Sequence, residues 1–230
     1  MMTILIVDDD KEIAELVEIH LIAEGYRVFK AYHAKEALSI MEKEEVHLVL
    51  LDIMMPGIDG IQLCKQIRES NAVPIIMLSA KSTDDDKIKG LATGADDYVT
   101  KPFNPLELVA RVKSQLRRYM QFNSGQSGEK QETMIQLENL IIDKESHSVK
   151  VYDREVKLTP IEFGILFLLA SNRGKVFSVE EIFERVWNER LLDANNTVMV
   201  HIRRIREKIE LDPRDAQVIK TVWGVGYKID

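Results

Sequence analysis

The chain has 230 residues, 45% hydrophobic and 30% charged, a balance that describes a folded globular protein of one large or two ordinary domains and excludes a disordered one. No apolar run approaches the ~20 residues of a membrane-spanning helix. The formal net charge of −7 rules out indiscriminate nucleic-acid binding, so any DNA contact must come from a local basic face.

Met1-Met2-Thr3-Ile4 enters a strand pattern at once, without the basic stretch and apolar core of a secretory signal. A cytoplasmic location with no membrane partner is therefore expected. Strands are predicted at Thr3 to Val7, Arg27 to Ala31, Val46 to Leu51, Pro74 to Ser79 and Asp97 to Thr100. Amphipathic helices are predicted at Lys11 to Glu24, Ala34 to Lys43, Ile58 to Glu69 and Thr83 to Thr93, and Pro105 to Tyr119 closes the series. Five alternating units imply an α/β domain: a parallel sheet with helices on both faces. The single cysteine, Cys64, excludes an internal disulfide and suits a reducing compartment; among Ile61, Leu63 and Ile67 it reads as core filler.

Residues 121–133 are polar apart from Phe122 and include Gly125 and Gly128, the composition of a flexible linker between domains at 1–120 and 134–230. Beyond it, strand signals at Ile135 to Leu137, Leu140 to Asp143, Ser148 to Tyr152 and Glu155 to Lys157 follow too closely for parallel crossovers. This sheet is expected to be antiparallel. Thr159-Pro160-Ile161-Glu162 and Ser178-Val179-Glu180-Glu181 are capping boxes that start two helices, and a third starts near Asn195-Asn196. Val218 to Val222 and Tyr227 to Ile229 flank the glycine-rich tip Trp223-Gly224-Val225-Gly226 of a β-hairpin. Three helices followed by a hairpin predict an α+β winged helix-turn-helix.

Chemistry concentrates at the strand ends of the first domain. Asp8, Asp9 and Asp10 follow the first strand, Asp52 the third, Ser79 ends the fourth, and Lys101 follows the fifth. In open α/β sheets, ligands bind outside these carboxyl ends. A nucleotide loop would place glycine, serine or threonine after the first strand, offering backbone N–H groups to phosphate. Three carboxylates there repel phosphate unless a divalent cation intervenes, and Mg²⁺ suits such oxygen ligands. Asp52 can then act as a carboxylate nucleophile that accepts a phosphoryl group, with Lys101 and the Ser79 hydroxyl on its oxygens. Asp10 reads as the N-cap of the following helix. Acidic residues at strand ends are often only caps, and Asp9 alone carries little; the combination of Asp8, Asp9, Asp52, Ser79 and Lys101 outweighs that bland reading.

In the helix from Asn196 to Ile209, Val198, Ile202, Ile205 and Ile209 form the expected buried stripe. Thr197, Val200, His201 and Arg204 stand on the expected outer side, flanked by Arg203, Arg206 and Lys208. Alone this could be a solvated surface. Between two capped helices and a glycine-rich hairpin, it predicts a recognition helix in the major groove.

These motifs carry a resemblance. Ile-Leu-Ile-Val-Asp-Asp-Asp, Leu-Leu-Asp-Ile-Met-Met-Pro-Gly, Met-Leu-Ser-Ala and Gly-Ala-Asp-Asp-Tyr-Val-Thr-Lys-Pro-Phe resemble a response-regulator receiver. Leu-Thr-Pro-Ile-Glu-Phe-Gly-Ile-Leu, Val-His-Ile-Arg-Arg-Ile-Arg-Glu-Lys-Ile and Thr-Val-Trp-Gly-Val-Gly-Tyr resemble the winged-helix effector of the OmpR/PhoB type. Lys11-Glu12-Ile13-Ala14 and Trp223-Gly224-Val225-Gly226 are similar to regulators of vancomycin resistance. The resemblance implies a flavodoxin-like strand order of 2-1-3-4-5. It also implies phosphorylation of Asp52 by a sensor histidine kinase. Asp8, Asp9, Asp52 and the Met54 carbonyl would bind Mg²⁺, and the Lys101-Pro102 bond would be cis. Ser79 and Tyr98 would be a switch pair, with Tyr98 as plain core the open alternative. Thr221 and Trp223 would lie at the DNA-binding wing. Where many relatives carry a wing arginine this chain has Trp223, which could pack the hairpin base or press on sugar. Phosphorylated receivers of this type pair through their fourth helix, fifth strand and fifth helix. Lys87 with Glu107, Asp97 with Arg111 and Asp96 with Arg118 match the cross-subunit ion pairs of that homodimer, whereas Lys113 faces Ala92 instead of an acid.

The implied protein is a phosphorylation-activated regulator that binds direct repeats in promoter DNA and engages RNA polymerase. In relatives the loop Asn188 to Asn195 can touch the polymerase, but here it is too generic to assign. Two alternatives stay open: a phosphatase with an aspartyl-phosphate intermediate, and a receiver with an RNA- or protein-binding output. Against the phosphatase, Met54 stands where a second aspartate would be needed.

Overall fold

Five runs of Ile, Leu and Val become the strands β1 (Thr3–Val7), β2 (Arg27–Ala31), β3 (Leu48–Asp52), β4 (Ile75–Ser79) and β5 (Asp97–Thr100). The structure, a computed structural model, describes residues 1–80, 93–123, 134–187 and 195–230. All pairings among β1 to β5 are parallel, in the order β2-β1-β3-β4-β5. This is the doubly wound, flavodoxin-like order that the sequence implied. β1, β3 and β4 are buried along their whole length. Burial on both faces is why these runs are continuously apolar rather than alternating.

Among the described residues, helices α1 (Lys11–Ala23), α2 (Ala34–Lys43), α3 (Gly60–Ser70) and α4 (Pro105–Asn123) flank this sheet in a unit that extends over Met1–Tyr119, with α4 running on past its end. Ile4, Ile6, Leu48, Leu50, Ile76 and Leu78 pack with Val17 and Leu21 of α1 and with Val112 and Leu116 of α4. The alternate residues Leu5, Val7, Val49, Leu51, Ile75 and Met77 are equally buried, so the opposite face is covered as well. Cys64 is fully buried in α3, consistent with core filler. α3 starts at Gly60 rather than Ile58, because Asp59 is the cap and accepts the Gln62 N–H at 2.7 Å. α4 runs past Tyr119 to Asn123, so the first three residues of the expected linker are helical; no glycine lies between Pro105 and Gly125. The predicted helix from Thr83, with Lys87, lies outside the described residues up to 92. So do linker residues 124–133 and loop residues 188–194.

The second unit, Met120–Asp230, opens with an antiparallel sheet of β6 (Met134–Leu137), β7 (Leu140–Asp143), β8 (Ser148–Val151) and β9 (Arg154–Glu155). Tyr152 and Asp153 join β8 to β9 with φ of 48° and 61°, the primed two-residue turn that suits strand twist. Three helices follow: α5 (Pro160–Ala170), α6 (Val179–Trp187) and α7 (Asn195–Ile209). Both capping boxes form, Thr159 with Glu162 and Ser178 with Glu181. β10 (Lys220–Val222) and β11 (Gly226–Lys228) make the hairpin, and Tyr227 bridges to Phe177 ahead of α6. A Cβ on Gly226 would collide with the Phe177 carbonyl, so only glycine lets the hairpin dock. Trp187, Phe177, Leu166, Val198, Ile202 and Ile205 share one core with the sheet, giving the expected winged helix-turn-helix. Among the described residues, no helix is long and apolar enough to cross a membrane.

Candidate phosphoacceptor site and nucleic-acid interface

β1 and β3 are neighbours with Val7 opposite Leu51, so Asp8 and Asp52 leave the sheet side by side. One carboxylate oxygen each from Asp8, Asp9 and Asp52 lies within 4.8 Å of the others. Asp8 and Asp52 are buried while Asp9 is exposed. The Lys101 ammonium stands 2.7 Å from Asp8 Oδ2 and 3.3 Å from Asp52 Oδ1. Burial pushes the Asp8 carboxyl above its ordinary value against the pull of Lys101, and the Asp52 charge adds to the rise. Asp10 points elsewhere: its carboxylate caps α1 by accepting the N–H groups of Glu12 and Ile13.

Asp52 Oδ1 is buried and accepts no hydrogen bond; Lys101 attracts it at 3.3 Å without hydrogen-bond geometry. An orphaned buried oxygen beside two further carboxylates is a donor set that fits a hard divalent cation. Ser79 is fully buried at the end of β4, opposite Thr100, and its carbonyl accepts the Lys101 N–H at 2.7 Å. The Lys101-Pro102 bond is cis. Tyr98 is half-buried opposite Met77, and Met54 is exposed in the loop after β3.

Gly60 is a site residue that the sequence reading missed. A Cβ there would overlap the Asp52 carbonyl oxygen and the Ile53 Cα, so a bare backbone at the start of α3 is what lets the loop after Asp52 close. The signal was available in Pro56-Gly57-Ile58-Asp59-Gly60, where a cap precedes an apolar run but glycine replaces a better helix former.

In the second unit the basic face of α7 is reorganised. Glu162 of α5 is wholly buried and holds Arg204 at 3.1 Å and Lys208 at 2.6 Å. His201 is buried beside Trp187, their rings 5.5 Å apart, and Val200 is buried too. The expectation that Val200, His201 and Arg204 form the open side is therefore corrected. A buried carboxylate draws the arginine inward, and the imidazole fills space against the tryptophan. The exposed arc is Met199, Arg203 and Glu207, beside half-buried Thr197 and Arg206. The Arg203 side chain is 78% exposed, and among the described residues it pairs only with Glu207, at i,i+4. Arg206 turns to the hairpin, donating to the Ile219 carbonyl at 2.6 Å and the Thr221 hydroxyl at 2.9 Å. Trp223 at the hairpin tip is 90% exposed, so it does not pack the hairpin base.

A receiver-like acid site on one unit and a winged helix on the other are matched by comparison with known proteins. Residues 4–113 match the response regulator receiver domain, and residues 153–229 match the C-terminal domain of transcriptional regulatory proteins. The chain is 52% identical over 227 residues to the regulatory protein VanRc of Enterococcus gallinarum, covering 99% of this chain and 98% of the relative. It is 50% identical over 228 residues to VanR of Enterococcus faecium, with the same coverage of 99% and 98%. Among solved structures, the OmpR/PhoB homolog DrrB of Thermotoga maritima is 36% identical, with a TM-score of 0.52 and coverage of 100% and 99%. A RitR mutant is 27% identical, with a TM-score of 0.79 and the same coverage of 100% and 99%.

The chain belongs to the OmpR/PhoB-type response regulators. The regulator is a DNA-binding transcription factor of a two-component system, with a receiver domain that couples phosphorylation to output. Its domains are those of transcriptional regulators rather than of phosphatases.

Within its receiver, the residues expected to pair across a dimer have partners in their own chain. Arg111 reaches Asp97 and Glu107, each at 3.1 Å. Lys113, expected to lack an acid, pairs with Glu24 at 2.6 Å. Asp96 is fully buried and accepts from Arg68 at 2.7 Å and from the Ile75 N–H at 2.9 Å. Arg118 is buried and donates to the Ser114 hydroxyl. The assignment of Asp96 as a surface pairing residue is corrected by that burial, which fixes the start of β4 against α3.

The regulator also exposes an apolar ridge on α1. Leu16, Ile19 and Ile22 are exposed at three-residue intervals, whereas Ala14, Val17 and Leu21 face the core. The signal was legible as surplus: α1 carries more apolar residues than one buried stripe uses.

Proposed function

We propose that the regulator works as a switch in which Asp52 takes a phosphoryl group from a sensor histidine kinase. The observation carrying this reading is the Lys101 ammonium set between Asp8 and Asp52, with Asp9 completing the acid cluster. Asp8, Asp9, Asp52 and the Met54 carbonyl would hold Mg²⁺, which neutralises the incoming phosphate and orients its oxygens when bound. The Asp52 carboxylate attacks the phosphorus as the bond from phosphorus to the kinase's donor group breaks, Lys101 meets the charge on the phosphoryl oxygens, and the Ser79 hydroxyl follows the group as it arrives. Tyr98 is its partner in the switch, turning inward.

The phosphorylated state forms a homodimer by exchanging partners at Asp97, Glu107 and Arg111, with Lys87 opposite Glu107. Residues 1–120 and 134–230 act as domains on a linker. The dimer sets two winged helices on direct repeats in promoter DNA, with Arg203, Thr197 and the wing residues Thr221 and Trp223 toward the duplex. It engages RNA polymerase from that position, in the cytoplasm. Incubation with a labelled acyl-phosphate donor tests the acceptor: wild type takes up one phosphoryl group per chain, and Asp52→Asn takes up none. Labelling of Asp52→Asn at the wild-type rate would refute the assignment, and repeated turnover of a phosphomonoester would favour a phosphatase instead.

A further inference from the structure

Where α7 ends at Ile209, the C-terminal unit holds a cleft of about 750 Å³. That size falls in the range of small-molecule sites, roughly 300–1,000 Å³. Leu140, Val151, Ile209 and Ile229 are buried in its lining and give it an apolar floor. Tyr152 and Leu211 also line it, yet they are 53% and 83% exposed. Large apolar side chains left in water around an apolar floor mark a binding surface.

The lining carries an excess of negative charge. Its cations are Arg173 and Lys220, and both are drawn to Asp230. Arg173 donates to the Asp230 carbonyl at 3.0 Å, and Lys220 pairs with the carboxylate at 2.8 Å. Among the described residues, Glu138, Glu210, Asp212 and Asp215 have no ion pair. Glu210 accepts the N–H groups of Gln217, Val218 and Ile219, and Asp212 accepts that of Arg214. Neutral donors of this kind fill lone pairs and leave the charge in place. The carbonyl end of α7 adds partial negative charge at the same spot. The basic residues of its last turn do not answer it: Arg206 donates to Ile219 and Lys208 to Glu162.

We infer that the cleft is a binding site for a small organic cation, an ammonium carried on an apolar ring system. The ring system lies on the floor, and the ammonium sits among the carboxylates with the Tyr152 ring as a further partner. An organic anion would meet like charge there. So would a second copy of this chain, whose formal net charge is −7. The cleft shares no residue with the phosphoacceptor cluster or with Thr197, Arg203, Thr221 and Trp223. Glu210 ties residues 217–219 to the end of α7, so a bound cation braces that junction.

The test titrates the full chain with 4-phenylbenzylamine, 4-phenylbenzyl alcohol and 4-phenylbenzoate, which share one ring system and differ in charge. Calorimetry should find one amine per chain, bound about 10-fold more tightly than the alcohol, and no binding of the carboxylate. At about 100 times its Kd, the amine should raise the melting temperature of the C-terminal unit by about 10 °C. Trp187 and Trp223 report that unit alone, which separates the effect from any amine held by Asp8, Asp9 and Asp52 of the receiver. Glu138 and Asp215 are exposed, so Glu138→Gln/Asp215→Asn should leave the melting temperature of the free chain unchanged. The same double variant should erase the advantage of the amine over the alcohol. Equal affinity for amine and alcohol, wild-type amine affinity in the double variant, or no binding at about 1 mM amine overturns the inference. Amine affinity that falls as the chain self-associates assigns the cleft to a second copy and also overturns it.

Discussion

Glu162→Gln isolates the electrostatic role of one buried carboxylate. Glutamine keeps the capping box, because its side-chain oxygen still accepts the Thr159 N–H. What it removes is the anion between Arg204 and Lys208. Taking one partner from a buried pair costs about 3–5 kcal/mol. Lys208 is 30% exposed and can turn to water, so the lower end applies, about 3 kcal/mol. At ~4 °C per kcal/mol, the melting temperature of the C-terminal unit should fall by about 12 °C. Both tryptophans, Trp187 and Trp223, lie in that unit, so intrinsic fluorescence follows its unfolding alone. The pH dependence has a definite sign. Burial pushes the Glu162 carboxyl up, but Arg204 and Lys208 outweigh it and hold it below its ordinary value of 4.5. A depressed folded value contributes stability that is complete above 4.5 and is lost as pH falls through the folded value. The difference in stability between wild type and Glu162→Gln should therefore close in acid. The double variant Glu162→Gln/Arg204→Met should recover part of the loss. A loss under ~1 kcal/mol, or a double variant as unstable as the single, would refute the buried-triad argument.

Further outcomes follow from the same geometry. Gly60→Ala should cost about 1–3 kcal/mol in urea unfolding of the receiver and slow phosphorylation from an acyl-phosphate donor, since the new methyl displaces the Asp52 backbone. Unchanged stability and rate would show that the loop gives way freely. Lys101→Met should slow that phosphorylation about 10- to 100-fold, the equivalent of one charge-assisted contact. A wild-type rate would remove Lys101 from the site. Arg203→Ala should weaken duplex binding and lower its salt slope by about 0.9, with stability within ~0.5 kcal/mol of wild type. Arg204→Ala is a poor probe of DNA binding, because it strands Glu162.

The sequence by itself determined the fold class, the chain order of the elements and the acid cluster. Each of these rests on local regularities. Apolar runs buried on both faces need no partner to be recognised, and a charge at the end of such a run must emerge at the sheet rim, as Asp8, Asp52 and Lys101 do. Capping boxes are equally local, and both appear where they were expected. Tertiary structure decided which groups remain available. Helical spacing sets Arg203 and Arg204 one step apart, yet Glu162 on another helix draws Arg204 inward and leaves Arg203 in water. Arg68 on α3 does the same to Asp96. Gly60 matters only because the Asp52 carbonyl lies where a side chain would start. The pairings of Arg204 and Asp96 depend on neighbours distant in sequence, and no local pattern records them.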